Sequence, residues 1–211
     1  MKRHFNKPIK SMFFMLIIFS VLFLGSCQNN DKIENISTEI HLEELGETGI
    51  IAENKAVDFY FYFPENWILQ RNDTMITIYL YSDDIIKTNV NELSTDEPLS
   101  YMIRPNVSAD VFTLLEGYET IEDYWVNFAA PSFRQVFENV VDESEEDLTV
   151  DGVPAKKYTY TLSLSGIDFK FTQIIFFNKD RVYTLTYTST EDKHATYISV
   201  LNTVAETFKF K

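Results

Sequence analysis

Residues 158–188, with the sequence YTYTLSLSGIDFKFTQIIFFNKDRVYTLTYT, decide the fold. Apolar and polar side chains alternate over 158–164 and again over 183–188, and this two-residue period predicts strands with one buried face. The Ser-Gly pair at 165–166 fits a two-residue hairpin loop. Residues 167–177 then return as a strand that ends apolar on both faces, and the Asn-Lys-Asp turn at 178–180 reverses the chain again. The stretch therefore predicts three consecutive antiparallel strands.

Three more strands are predicted on the N-terminal side of this stretch. The aromatic run 57–63 is followed by the turn Pro64-Glu65-Asn66, because proline and asparagine favour turns. Residues 75–81 place isoleucine and leucine side chains at alternate positions. A third strand is predicted within 99–112, where Pro105 indicates an edge, a bulge or a break because it cannot donate to a sheet ladder.

Two helices complete the prediction. Apolar side chains recur at helical spacing from Ile121 to Ala129, with Thr120 as a fair N-cap. Pro131 is expected to kink or restart this helix. A second apolar stripe from Tyr197 to Phe208 predicts a closing helix. The fold class is therefore α+β, with an antiparallel sheet of about six or seven strands covered by two main helices.

The N-terminus has the pattern of a secretory signal peptide. Residues 1–11 carry four basic side chains and no acidic one, and 12–25 are almost wholly apolar. That run is short for a permanent span, since about 20 helical residues are needed to cross a bilayer. It ends in Leu24-Gly25-Ser26-Cys27, which resembles the lipobox of bacterial lipoproteins. In that family a diacylglycerol is attached to the cysteine sulfur, and cleavage leaves the cysteine as the first residue.

The cysteine count agrees with lipidation at Cys27. It is the only cysteine among 211 residues, so it cannot form an internal disulfide, and a lone thiol in an exported chain needs another explanation. We therefore predict a signal peptide over 1–26, an acidic flexible tether over 27–51, and a folded domain over 52–211. The tether prediction follows from a charged segment of low hydrophobicity.

The charge excludes one class of partner. Removal of residues 1–26 takes away four basic side chains and no acidic one, which leaves 14 basic and 32 acidic side chains and a formal charge of −18. Such a surface lacks the basic footprint that nucleic acid requires. It is also repelled by anionic lipid head groups, so contact with the membrane is expected through the lipid alone.

The strand that runs into Phe63-Pro64-Glu65-Asn66-Trp67 resembles the Pro-x-Gly-Trp opening of PsbP-like domains, with Asn66 where that family often has glycine. Four further segments also resemble that family: the helix at 120–137, the strands at 173–177 and 182–185, and the helix ending in Phe208-Lys209-Phe210. These domains are relatives of an extrinsic photosystem II subunit, and they share an α/β/α sandwich with a nuclear-import factor. The resemblance covers about residues 52–211. It implies this sandwich and a non-enzymatic binding or assembly role.

Catalytic and metal-binding patterns are missing from the sequence. Beyond the signal peptide there are two histidines, His41 in the tether and His194 beside the apolar stripe of the last helix. Without a second cysteine or a histidine pair, no zinc site is expected, and no Gly-x-Ser-x-Gly nucleophile turn occurs. The acidic run 142–147 is interpreted as a solvated loop; whether it binds a cation stays open because the EF-hand pattern is absent. No enzyme activity, metal or cofactor is predicted.

Two functions remain compatible with these observations. The first is a protein that is lipid-anchored on the extracytoplasmic face of the cell membrane and that binds or helps to assemble an envelope protein; the outer membrane stays open as an alternative address if the organism has one. Four tyrosines could form its contact patch, since aromatic side chains anchor interfaces: Tyr60, Tyr62, Tyr79 and Tyr81. The alternative is a lipoprotein that binds a small ligand in an aromatic pocket. Trp67 and Trp125 are expected to lie in the core.

Overall fold

A computed structural model describes residues 40–42, 47–71, 74–80, 104–164 and 167–211. All of them belong to one compact unit that spans residues 36–211. The predicted signal peptide and lipobox, including Leu24, Gly25, Ser26 and Cys27, lie outside the described residues, and so does Tyr81.

The central element is an antiparallel sheet of seven strands. Its ladders pair each strand with its neighbour in the spatial order β4-β5-β6-β10-β9-β8-β7. This agrees with the predicted strand number. The strands are β4 (Trp67–Arg71), β5 (Met75–Leu80), β6 (Asn106–Thr113), β7 (Glu138–Val150), β8 (Val153–Leu164), β9 (Ile167–Asn178) and β10 (Arg181–Thr190).

The three strands predicted from residues 158–188 are confirmed as β8, β9 and β10. Leu164 pairs directly with Ile167, which is the register that a two-residue loop imposes. Asn178 pairs with Arg181, so Lys179 and Asp180 form the second turn. Lys179 has a φ of 57°; this is the left-handed region that tight hairpin turns require.

A second, smaller sheet was not predicted. It has the order β1-β2-β3-β11, with β1 at Ile40–Leu42, β2 at Glu47–Glu53, β3 at Phe59–Pro64 and β11 at Lys209–Phe210. Strand β2 crosses the predicted start of the domain at residue 52, because Ile51 pairs with Tyr62 and Ala52 with Phe61. Regular structure therefore begins within the segment assigned to the tether.

The helical stretch α1 runs through three consecutive segments, Ile121–Tyr124, Trp125–Ala129 and Ala130–Val136, of which the middle one is a π-helical turn. The Thr120 hydroxyl accepts a hydrogen bond from the Asp123 amide at 3.1 Å, as predicted for an N-cap. Pro131 lies in the first turn of the last segment. There its missing N–H is tolerated, so the helix changes register without breaking.

The sheet is covered on both faces. We call one face of the central sheet the inner face. The main core on this face includes Phe59 and Phe61 of β3 and Leu201 and Val204 of helix α2 (Glu191–Thr207). On the opposite face, which we call the α1 face, the ring of Trp125 stacks on Tyr158 at 4.2 Å. The result is a three-layer α+β sandwich, as the fold prediction required.

Candidate functional site

Three of the four tyrosines of the predicted contact patch lie within the described residues, and the structure divides these three between the two sheets. Tyr60 and Tyr62 lie together on β3, with ring centroids 6.2 Å apart in an edge-to-face arrangement, and both are partly exposed. Tyr79 lies on β5 of the central sheet, where its hydroxyl donates to Gln70 Oε1 at 2.8 Å. Only Tyr60 and Tyr62 are therefore observed as neighbours.

Tyr60 and Tyr62 belong to the outer face of the small sheet. Ile51 is the direct cross-strand neighbour of Tyr62, and Tyr60 lies between Glu53 on one side and Lys209 on the other. Burial, and after it the neighbouring Tyr60, raises the pKa of Tyr62, so the Tyr62 phenol remains neutral at physiological pH. We call Ile51, Tyr60 and Tyr62 the tyrosine surface; it presents apolar rings with polar tips, bordered by one acidic and one basic side chain.

The α1 face carries a second candidate, which sequence reasoning missed. One side chain from each of four adjacent strands stands in a single cross-strand row, because Thr77 pairs with Ser108, Ser108 with Thr186, and Thr186 with Gln173. Directly paired residues of an antiparallel sheet project from the same face. Together with the polar side chains two positions along β6 and β10, this row forms a polar patch: Thr77, Asn106, Ser108, Asp110, Gln173, Thr184, Thr186 and Thr188.

The polar patch is buried, which is unusual for so many polar side chains. All of its members except Thr186 are at most 8% exposed, including Asp110 at 6% and Gln173 at 8%. Some bonds within the patch are visible: Gln173 Nε2 donates to Thr186 Oγ1 at 3.0 Å, and Asn106 Nδ2 donates to the Arg104 carbonyl at 3.2 Å. Burial raises the pKa of Asp110 to about 7, and a hydrogen bond from Ser108 opposes the rise.

Three atoms along this line have no hydrogen-bond partner within the described part of the chain. They are Thr77 Oγ1, Gln173 Oε1 and the hydroxyl of Tyr158, and Tyr158 extends the row because it pairs with Gln173. Buried polar atoms in folded proteins almost always have a partner, so each exception requires an explanation. The patch is therefore a place where a bound molecule would supply what the protein does not.

The acidic run 142–147 is not a loop, so that prediction was wrong. It lies inside β7, which pairs with β8 and forms one edge of the central sheet among the described residues. The reason is charge pairing, since basic side chains of β8, β9 and α1 face these carboxylates. The pairs are Lys156 with Glu145 (2.8 Å) and Asp147 (2.8 Å), Lys157 with Glu146 (2.6 Å), Lys170 with Glu143, and Arg134 with Asp142. Lys156 also pairs with Glu122 of α1 (2.9 Å).

His194 is a buried packing residue at the start of α2. Its Nε2 lies 2.9 Å from Thr172 Oγ1, and its ring lies 5.2 Å from that of Tyr187. Burial, helped by the positive charge of Lys170, lowers the pKa of His194 to about 4. The imidazole is therefore neutral at physiological pH.

The tryptophans lie in the core as expected, with Trp67 4% and Trp125 6% exposed. Trp125 belongs to a group of rings on the α1 face that contact one another: Trp125, Phe133, Tyr158, Tyr160 and Phe171. Within the ranges that the structure covers, no three His, Cys, Asp or Glu side chains are arranged to hold a metal. No helix in those ranges is long and apolar enough to cross a membrane.

Comparisons with known proteins support the fold. No family model matches the sequence, and no curated protein matches it. Among solved structures, the yeast (Saccharomyces cerevisiae) Ran-binding protein Mog1p aligns with a TM-score of 0.52 and 9% identity, over 77% of this chain and 95% of that one. Its E65A mutant aligns with a TM-score of 0.53. At such low identity the likeness shows a shared fold alone.

Two bacterial structures align slightly less well. Cyanobacterial PsbP (CyanoP) from Synechocystis has a TM-score of 0.49 and 14% identity, over 89% of this chain and 99% of that one. LpqN of Mycobacterium tuberculosis, described as involved in cell envelope biogenesis, has a TM-score of 0.49 and 14% identity, over 79% and 86%. The fold that the chain shares with Mog1p is the three-layer α+β sandwich described above.

Proposed function

We propose that this chain is a lipid-anchored, extracytoplasmic protein of the cell envelope that binds or assembles a protein partner and has no catalytic chemistry. The observation that carries the proposal is the segment Leu24-Gly25-Ser26-Cys27 at the end of an apolar run that follows a basic N-terminus. Two or three acyl chains on Cys27 anchor firmly, because each buried methylene contributes about 0.8 kcal/mol.

The tyrosine surface is the contact site that we favour. Tyr60 and Tyr62 present partly exposed aromatic rings on the outer side of a sheet, and tyrosine is enriched at the centres of interfaces. The overall negative charge adds a preference for partners with a basic surface.

The non-enzymatic part of the proposal is supported by the state of His194. His194 is buried and neutral, and its Nε2 lies within hydrogen-bonding distance of the Thr172 hydroxyl. A general base needs to reach a substrate proton, and a side chain packed in this way does not.

The first experiment tests the anchor. Cells expressing the wild type or Cys27→Ala are labelled with radioactive palmitate and separated into membrane and soluble fractions. We expect label and membrane association for the wild type only. Equal fractionation of the two proteins, or label on Cys27→Ala, would refute the anchor.

The second experiment tests the contact surface. The double variant Tyr60→Ser/Tyr62→Ser is compared with the wild type by cross-linking in living cells and mass spectrometry. The matched control is Val126→Ser, which removes a 61% exposed apolar side chain from α1. We expect an envelope protein that is captured by the wild type and the control and lost with the double variant. Capture that is unaffected by the double variant would move the contact elsewhere.

A further inference from the structure

We propose that the polar patch on the α1 face binds a small, neutral, hydroxyl-rich molecule of the sugar or polyol class. This inference is independent of the lipid anchor and of the tyrosine surface. It rests on the juxtaposition of Thr77, Ser108, Thr186 and Gln173 across four neighbouring strands, with Asp110 directly beside Ser108 on β6.

The row has the dimensions of a small-molecule site. It spans three interstrand spacings, or about 14 Å from Thr77 to Gln173. Rigid sheet strands hold its side chains, so their polar atoms are presented in fixed positions, as binding sites require. The aromatic rings of α1 contact β8 and β9, which lie at the Gln173 end of the row. The ring of Trp125 stacks on Tyr158 of β8, and the ring of Tyr124 lies 5.8 Å from that of Phe177 of β9.

The unpartnered atoms show where a ligand would bind. Thr77 Oγ1 and Gln173 Oε1 stand at the two ends of the row, and both are without a partner in the described part of the molecule. Their residues are only 4% and 8% exposed. The amide nitrogen of Gln173 already donates to Thr186. The free group is therefore the carbonyl oxygen, which can only accept a hydrogen bond. A ligand at this position must therefore carry a hydrogen-bond donor.

The chemistry of the patch selects neutral hydroxylated ligands. None of its eight side chains is basic, and the one ionisable group, Asp110, is an acid, so phosphate and carboxylate ligands meet no opposing charge. Hydroxyl groups both donate and accept, and they complement an array of threonine and serine hydroxyls that also contains the acceptor oxygens of Gln173 and Asp110. An array of this kind fits a sugar or polyol better than an apolar molecule, which would leave those atoms unpaired.

The test uses the full-length protein in a detergent without a sugar head group. Saturation-transfer NMR and thermal unfolding are measured with D-glucose, N-acetyl-D-glucosamine and glycerol, and with inorganic phosphate as the anionic probe. We expect saturable binding of at least one of the three hydroxylated probes and none of phosphate. No saturable binding of these three, or binding of phosphate, overturns the proposal.

Two near-isosteric variants, Thr77→Val and Gln173→Met, separate a binding role from a structural one. Thr77→Val removes a buried hydroxyl that lacks a partner, so we expect the melting temperature of the ligand-free protein to rise by about 2–4 °C. Gln173→Met removes the unpartnered carbonyl oxygen together with the amide nitrogen that donates to Thr186, so this variant is judged by binding alone. Binding of the probe should weaken by about tenfold. Unchanged binding in either variant, or a lower melting temperature of Thr77→Val, overturns the proposal, because either result means that these atoms do not serve a ligand.

The matched control is Thr159→Val on the inner face of the same sheet. The Thr159 hydroxyl already has a partner, Thr172 Oγ1 at 3.2 Å. We therefore expect this variant to lower the melting temperature and to leave binding of the probe unchanged. Loss of binding in Thr159→Val as well as in the patch variants would also count against the proposal, because it would show that binding follows general stability.

Discussion

Replacement of Asp110 by asparagine should remove a pH-dependent destabilisation of the native state. The carboxyl is 6% exposed, and its pKa rises from 3.8 to about 7 on folding, chiefly because burial disfavours the charged form. The unfolded chain therefore loses this proton more readily than the folded chain. Below pH 4 both states hold the proton and nothing is lost; stability is lost as the pH rises from 4 to 7, and above pH 7 the loss is complete.

The magnitude follows from the size of the pKa shift. One pKa unit corresponds to about 1.4 kcal/mol, so a rise of roughly three units on folding destabilises the wild type by about 4 kcal/mol at pH 7 and above. Asparagine has nearly the same shape and no charge to desolvate. Asp110→Asn should therefore be nearly neutral at pH 4 and more stable than the wild type by about 4 kcal/mol at pH 7.

Urea unfolding of both proteins between pH 4 and pH 8 measures this difference. The comparison isolates Asp110, because the other titrating groups are common to the two proteins. We expect the gap in unfolding free energy to widen by about 1.4 kcal/mol per pH unit between pH 4 and pH 7. A gap that does not change with pH would refute the reasoning, since it would show that the carboxylate is as well solvated in the native state as in the unfolded chain.

Three further predictions concern the core and the charged edge. Phe208→Ala should destabilise the protein by about 3–5 kcal/mol, because this fully buried ring lies 5.0 Å from the ring of Phe59; a loss below about 1 kcal/mol in urea unfolding would contradict the packing. Lys156→Met leaves three carboxylates without their shared cation, so we expect a lower melting temperature that high salt partly restores by screening their repulsion; no difference from the wild type at low salt would argue against the ion pairs. His194→Gln should reduce acid sensitivity, because the pKa of His194 falls from 6.5 to about 4 on folding and the stability present above pH 6.5 is lost as the pH falls toward 4. Parallel acid-unfolding curves for the two proteins would count against this last prediction.

The α1 face shows why a buried polar site escaped the sequence. The alternation of Tyr183, Leu185 and Tyr187 with threonines correctly identified a strand, and a half-buried strand implies that its threonines face water. In the structure Thr184 and Thr188 are buried as well. A two-residue period shows which side chains share a face, but it contains no information about what covers that face.

The charged edge has a similar explanation. Six acidic or hydroxyl side chains in succession at 142–147 favoured a loop, because isolated carboxylates repel one another and prefer water. Lys156 and Lys157 lie on β8, and the pairing register places them opposite Asp147 and Glu146. Lys170 reaches Glu143 from β9, one strand further into the sheet. Cross-strand pairs of opposite charge stabilise a sheet, and they form only once the chain has folded.

The sequence alone determined the elements whose signals are local. Each of these elements depends on residues within a few positions of one another. They are the strands β8, β9 and β10, the turn at Lys179 and Asp180, and the capped start of α1 at Thr120. The α+β class followed from their order. Only the tertiary structure decided the small sheet, in which Lys209 pairs with Tyr60, and the polar patch, which joins Thr77 to Gln173 across four strands. Such pairings join residues far apart in the chain, and they are decided by the burial and charge complementarity of the whole domain, which no local pattern records.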